Sequence, residues 1–146
     1  MHGKLYRDAA MWVWERQIGL PYRWGGDNPL AGFDCSGLVL EGLKAVGLFP
    51  RSEDSSAHDL VHVHFPSRHR VEGDLQPGDL VFWGQPRITH VEIVWRRIGD
   101  MVLTIGASGG GSATTSPDAA IEQDAYCKIR PMRPGIVAAI DPFPAD

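Results

Sequence analysis

Apolar residues follow two rhythms along this chain. Up to residue 46 they recur every three to four positions; from residue 80 onward they alternate with polar residues or run in short blocks. The first rhythm predicts an amphipathic helix over residues 4–19, with Leu5, Ala9, Trp12 and Val13 on one face and Gly19-Leu20-Pro21 as its stop. Trp12 and Trp14 cannot share a face at that spacing, so one of them is expected to cover a loop. A second helix is predicted over residues 34–46, with Leu38, Val39, Leu43 and Val46 as its stripe, Asp34 as N-cap and Gly47 as stop. Between the two, residues 20–33 hold Pro21, Gly25, Gly26, Pro29 and Gly32, which reads as a loop anchored by Tyr22, Trp24 and Phe33.

Residues 48–78 are the least legible. Residues 52–56 are turn-like, residues 57–64 fit a short helix, and residues 66–78 read as polar loop with a short strand near Val71. Pro77-Gly78-Asp79 then turns into Leu80-Val81-Phe82-Trp83, a short apolar strand. Residues 88–95 alternate, with Val91, Ile93 and Trp95 on one face and His90, Glu92 and Val94 on the other. Residues 96–100 read as a hairpin connection, 101–107 as the next strand, 108–112 as a glycine-rich turn and 126–130 as a last strand; 113–125 give no clear pattern. Residues 131–146 contain four prolines and are expected to wrap the surface. Helices first and antiparallel strands afterwards make an α+β layout in a single domain over residues 1–146.

Composition narrows the function classes. The chain has 146 residues, 43% of them apolar and 22% charged, as in an ordinary globular domain. A net charge of −4 without a long basic run gives no electrostatic footprint for nucleic acid or an anionic membrane, although Arg68-His69-Arg70 is a local basic patch. No apolar run reaches membrane-spanning length, and the first residues lack a signal-peptide core. Two cysteines, Cys35 and Cys127, do not make a disulfide framework.

Cys35 falls in the first turn of the second predicted helix, where unpaired N–H groups and the positive dipole end favour an anion. A thiol there can ionise near neutral pH and act as a nucleophile; the alternative is a small buried hydrophobe. A cysteine nucleophile needs a base, and His90, at the start of a strand, is the natural candidate. His58, His62 and His64 invite a metal reading, but no Glu stands where a zinc-enzyme HExxH motif would need it, and no cysteines cluster there. Gly106-Ala107-Ser108-Gly109-Gly110 matches the G-x-S-x-G elbow of serine hydrolases, yet no His follows His90 in the chain, as that triad requires.

Four blocks in series carry a family resemblance: Pro21-Tyr22-Arg23-Trp24-Gly25-Gly26, Phe33-Asp34-Cys35-Ser36-Gly37-Leu38-Val39, Pro77-Gly78-Asp79-Leu80-Val81-Phe82-Trp83 and Thr89-His90-Val91-Glu92-Ile93-Val94. Together, over about residues 5–131, the chain resembles the NlpC/P60 family of bacterial and phage cysteine peptidases. The resemblance implies a papain-like α+β fold, with N-terminal helices packed on an antiparallel sheet and the nucleophile at a helix N-terminus. It implies Cys35 as nucleophile and His90 as general base. Tyr22 would lie beside the cysteine, its phenol helping the Cys35 N–H hold the oxyanion, while Asp34 and Ser36 shape the helix start. The implied substrate is a peptidoglycan stem peptide, commonly cut between γ-D-glutamyl and a diamino acid, with no metal or cofactor. Nothing in it indicates nucleic acid, a membrane span or an oligomeric state. With no signal-peptide core, action on the wall would be phage-associated or follow delivery by a secretion system; the other setting is cytoplasmic.

The chain departs from the family at one point. The third polar residue, often His, is usually on the strand after that of His90, and its position falls on Gly106. Thr104, Ser108, a water or a backbone carbonyl could substitute, and Glu92, on the face of His90, could serve instead or contact the substrate. Two other readings therefore stand beside the hydrolase: a papain-like amidase or acyltransferase on another acyl substrate, and a wall-binding module with impaired catalysis.

Overall fold

The computed structural model of the protein describes residues 2–28, 32–70 and 74–146. Its first helix, α1 (Gly3–Glu15), turns its faces differently from the expected stripe. Gly3, Ala10 and Trp14 are buried, whereas Leu5 is 66% and Trp12 57% exposed. The stripe was displaced because Trp14 outcompetes Trp12 for the core. Its indole N–H donates to the Leu38 and Val39 carbonyls at 3.1 and 3.3 Å, so the ring is buried with its polar atom satisfied. Trp12 instead lies under the Arg16 guanidinium at the surface. Arg7 fastens α1 to the rest of the fold, donating to the Pro77 carbonyl and pairing with Asp79 and Asp141.

The loop that follows holds a small antiparallel pair, β1 (Asp27–Asn28) and β2 (Gly32–Phe33). Its anchors are Tyr22 and Phe33, both buried; Trp24, expected as a third, is 54% exposed. Full burial of a side chain the size of Phe33 contributes about 2 kcal/mol. Helix α2 (Cys35–Ala45) begins where Asp34 caps it, accepting the Gly37 N–H at 2.7 Å. Leu38, Val39, Leu40 and Leu43 bury completely along it. Residues 57–64 form one turn of helix, α3 (Ala57–Asp59), capped by Ser56 and continued by a π-helical turn over Leu60–His64.

The main sheet has six strands: β3 (His69–Arg70), β4 (Leu80–Trp83), β5 (His90–Ile98), β6 (Met101–Ser108), β7 (Tyr126–Pro131) and β8 (Ala138–Ile140). Their order is β3-β8-β4-β5-β6-β7, every pairing antiparallel. Val91 and Ile93 of β5 join the large core under α1 and α2, while Val94 packs with Val81 and Ala139 in a smaller cluster. The strand expected near Val71 lies outside the described residues.

Two expectations are corrected here, and one stretch without a pattern gains a structure. The hairpin between β5 and β6 closes on only Gly99 and Asp100, since pairing continues to Ile98 and Met101. Residues 113–125, left without a pattern, contain helix α4 (Pro117–Glu122), with Ser116 as N-cap and proline in its first turn. The C-terminal stretch does not merely wrap the surface. Ala138, Ala139 and Ile140 form β8, buried inside the sheet between β3 and β4, and Phe143 packs edge-on against Trp14. Prolines flank this short apolar run without interrupting the residues that pair.

Candidate active site

Cys35 opens α2, and its setting begins with Asp34. One Asp34 oxygen takes the Gly37 N–H, the other the Gly25 N–H at 3.1 Å, and Ser36 Oγ lies 3.4 Å from the first. The glycine-rich loop thus presses on the helix start. A Cβ at Gly37 would lie 1.9 Å from the Gly26 carbonyl oxygen, so only glycine allows this approach. Cys35 Sγ lies 4.0 Å from the carbonyl oxygen of Thr89, the residue before His90.

The thiol does not behave as its helix position predicts. Burial, with the Asp34 charge added, pushes it up to about 11, and backbone hydrogen bonds from Val91, Ser36 and Cys35 itself recover only part of that. The expectation of a thiolate near neutral pH is therefore corrected: sulfur rests as S–H. Tyr22 shares this environment. Its phenol is pushed well above the usual range by burial and by the neighbouring Cys35 and Asp34, so it is a neutral hydroxyl.

Across the cleft, β5 presents His90 and Glu92 on one face, and their side chains touch. His90 Nε2 lies 2.6 Å from Glu92 Oε2. The carboxylate also accepts the Thr104 hydroxyl at 2.6 Å and a two-pronged contact from Arg130, through Nε at 3.2 Å and through Nη2. Burial alone would raise the Glu92 carboxyl, but hydrogen bonds from His90, Arg130 and Thr104 outweigh it and hold the group at about 2. An ionised carboxylate can only accept, so Nε2 carries a proton, and in the neutral imidazole Nδ1 is left with the free lone pair.

Gly106 explains why Glu92 can sit there. A Cβ at that position would lie 2.4 Å from Glu92 Cγ and 2.5 Å from Cδ. The position without a side chain is the space that the Glu92 carboxylate fills. Of the three side chains that could stand in for the missing third residue, Glu92 contacts His90 and Thr104 supports Glu92. Ser108 does neither; its hydroxyl is buried without a partner. That burial also removes the serine-elbow reading, since α4 begins only at Pro117.

Cys35 and His90 line one cavity of about 380 Å³, together with Tyr22, Gly109–Gly111 and Arg133. A second cavity opens on the other side of Cys35, lined by Asp34, Asp54, Ser55, Arg87 and Thr89 among others. The histidine trio makes contacts of its own: His58 packs on His62 and accepts the Ile88 N–H at 3.3 Å through Nδ1, and His64 meets Phe49 edge-on. Among the described residues no group of three His, Cys, Asp or Glu side chains could hold a metal. Both cysteines are free, so Cys35 is not tied to Cys127.

A model of the NlpC/P60 family matches residues 19–130. The chain belongs to the NlpC/P60 family. Murein DD-endopeptidase MepH of Escherichia coli (strain K12) is 38% identical over 81 residues, which is 53% of this chain and 29% of MepH. The chain thus spans under a third of the length of that curated relative. The structure of the peptidoglycan hydrolase RipB from Mycobacterium tuberculosis superposes with a TM-score of 0.70 at 23% identity, covering 99% of this chain and 68% of that one. RipD from Mycobacterium tuberculosis, described as a non-catalytic NlpC/p60 domain protein adapted to peptidoglycan binding, matches with a TM-score of 0.60 at 20% identity, over 92% of this chain and 95% of that one. The α+β layout is the fold of the NlpC/P60 family.

Within that fold, sequence reading missed Arg130, Trp83 and Arg133. Arg130 lies opposite Thr104 in the β6–β7 register, which brings it to Glu92; the strand was foreseeable, its register was not. Trp83 pairs with His90 across β4 and β5 and stacks against the imidazole, 5.6 Å between ring centres. Arg133 lies beyond β7, in a segment with no periodic signal.

Proposed function

We propose that this NlpC/P60 domain is a cysteine hydrolase of peptidoglycan stem peptides, acting on the bond between γ-D-glutamyl and a diamino acid. The observation that carries the reading is a single cavity lined by Cys35 and by a histidine whose far nitrogen is held by an ionised, buried carboxylate. Because the sulfur rests protonated, attack and proton transfer belong to one event: Nδ1 of His90 takes the thiol proton as Sγ bonds to the carbonyl carbon. Glu92 fixes the ring's tautomer and stabilises the imidazolium that forms. The Cys35 N–H and the neutral Tyr22 hydroxyl are the donors for the oxyanion. The tetrahedral species collapses, the C–N bond breaks, and the imidazolium proton goes to the departing amine. Water, activated by the same imidazole, then hydrolyses the thioester.

Membership of the family and the endopeptidase name of MepH support peptidoglycan as the substrate. The likeness to RipD favours a second reading, wall binding without catalysis. One experiment separates them. Purified protein is incubated with muropeptides under reducing conditions and the products are weighed by mass spectrometry. The hydrolase reading expects new fragments that split at the γ-D-glutamyl bond and disappear in Cys35→Ala. Sacculus binding with no fragments from the wild type, or equal cleavage by Cys35→Ala, overturns it.

A further inference from the structure

The two cavities beside Cys35 differ in charge, and the difference bears on the substrate. One carries both signs, with Asp34 and Asp54 against Arg87. The other, on the His90 side, has Arg133 as the only permanently charged residue among the described residues of its lining, and much of its wall is the bare backbone of Gly109–Gly111. Direction follows from the chemistry. The imidazole that takes the thiol proton must return it to the departing amine, so the amine fragment leaves through the cavity that His90 lines.

Arg133 is built into that wall. Its guanidinium lies over the Trp83 ring, 5.3 Å from the centroid, and Trp83 Nε1–H donates back to the Arg133 carbonyl at 3.3 Å. Trp83 in turn stacks on His90. The side chain is 49% exposed, and its nearest carboxylate, Glu92, is 4.0 Å away and already satisfied by Arg130, Thr104 and His90. Arg133 therefore has donors to spare, facing the space that the leaving fragment crosses. A guanidinium presents paired N–H groups that match a carboxylate.

We propose that Arg133 is a specificity residue for the leaving fragment, gripping a side-chain carboxylate on the amino acid whose amine is released. This rests on the hydrolase reading and narrows its substrate to peptides in which that diamino acid is acidic. Two synthetic peptides test it, identical except that the diamino acid's second carboxylate is free in one and a primary amide in the other. We expect the wild type to favour the free acid about 10- to 100-fold in kcat/KM, mainly through KM. In Arg133→Met the preference falls to within about twofold, and Arg133→Lys keeps part of it. Equal rates for the two peptides with the wild type, or a preference that survives in Arg133→Met, overturn the assignment and leave the hydrolase reading standing. No turnover of either peptide by the wild type overturns both.

Discussion

Two acids lie in one site, a half-buried thiol and a buried carboxyl, and meet opposite fates. At the start of α2 the Cys35 thiol is pushed up to about 11; on β5 the Glu92 carboxyl is held at about 2. Burial opposes ionisation in both. The difference lies in the donors. Cys35 has backbone N–H groups and an unfavourable neighbour, the Asp34 carboxyl, whereas Glu92 has a guanidinium, an imidazole and a hydroxyl. A helix N-terminus is thus too weak to ionise a sulfur that is desolvated beside a carboxylate. The resting site keeps its negative charge on Glu92, where Arg130 neutralises it, and its sulfur as a thiol. In the proposed mechanism thiolate would form only as substrate and imidazole come together, which would shield Cys35 from stray alkylation and oxidation.

The sharpest way to break this contrast is Glu92→Gln. The shape is kept, but an amide can present N–H to His90 and leaves the Arg130 guanidinium without its counter-charge. We expect kcat for stem-peptide cleavage to fall about 100-fold. Removing one partner of a buried pair also costs about 3 kcal/mol, at the low end because Arg130 is partly exposed. The sign with pH is fixed. A carboxyl whose folded pKa is depressed stabilises the fold above its ordinary value of 4.5, and that contribution is lost as pH falls through about 2. Urea unfolding of the wild type should therefore weaken between about pH 4.5 and pH 2 more steeply than that of Glu92→Gln. Parallel curves for the two proteins would remove Glu92 as the charged member of the site.

A smaller effect is expected from Gly106→Ala, which pushes on Glu92 from the next strand. The added methyl overlaps Glu92 Cγ and Cδ, so the carboxylate must move off His90 or the strands must part. Overpacking of this kind costs about 1–3 kcal/mol, and the displaced carboxylate should lower kcat about 10-fold, read by steady-state kinetics together with Tm. The double variant Glu92→Ala/Gly106→His moves the orienting group to the position on β6 where the family resemblance expects it. It should recover part of the rate lost in Glu92→Ala alone. Unchanged kcat in Gly106→Ala would mean that the carboxylate position does not matter to the imidazole.

These two residues also mark where sequence reading stopped. The Asp34 cap, the Cys35 helix and the His90 strand were legible, because local rules govern each of them: a cap before an apolar run, and alternation along a strand. That Gly106 and Glu92 answer one another was not, since it depends on which residues meet across β5 and β6, and a bulge between Val94 and Arg96 shifts that register. Arg130 was hidden for the same reason, one strand further on. The C-terminal strand β8 was lost among prolines, although Ala138-Ala139-Ile140 is an apolar run of strand length. Helix α4 had its signal in plain view, a Ser-Pro start followed by Asp, but only six residues to show it.

The smallest expected effect comes from the other side of the comparison, at Asp34. Asn caps a helix about as well as Asp, so Asp34→Asn keeps the carbonyl that takes the Gly37 N–H and removes the charge that disfavours thiolate. It also turns an amide N–H₂ toward the Gly25 N–H, so one hydrogen bond is lost, at about 1 kcal/mol. The thiol should then titrate below its wild-type value of about 11 while remaining well above neutrality, because burial is the larger cause. The measurement is the pH dependence of iodoacetamide alkylation, to which the fully buried Cys127 does not contribute. A midpoint that stays put or rises would show that the Asp34 charge does not reach the sulfur. A midpoint that falls to neutrality would show that the helix N-terminus, freed of its carboxylate, outweighs burial after all.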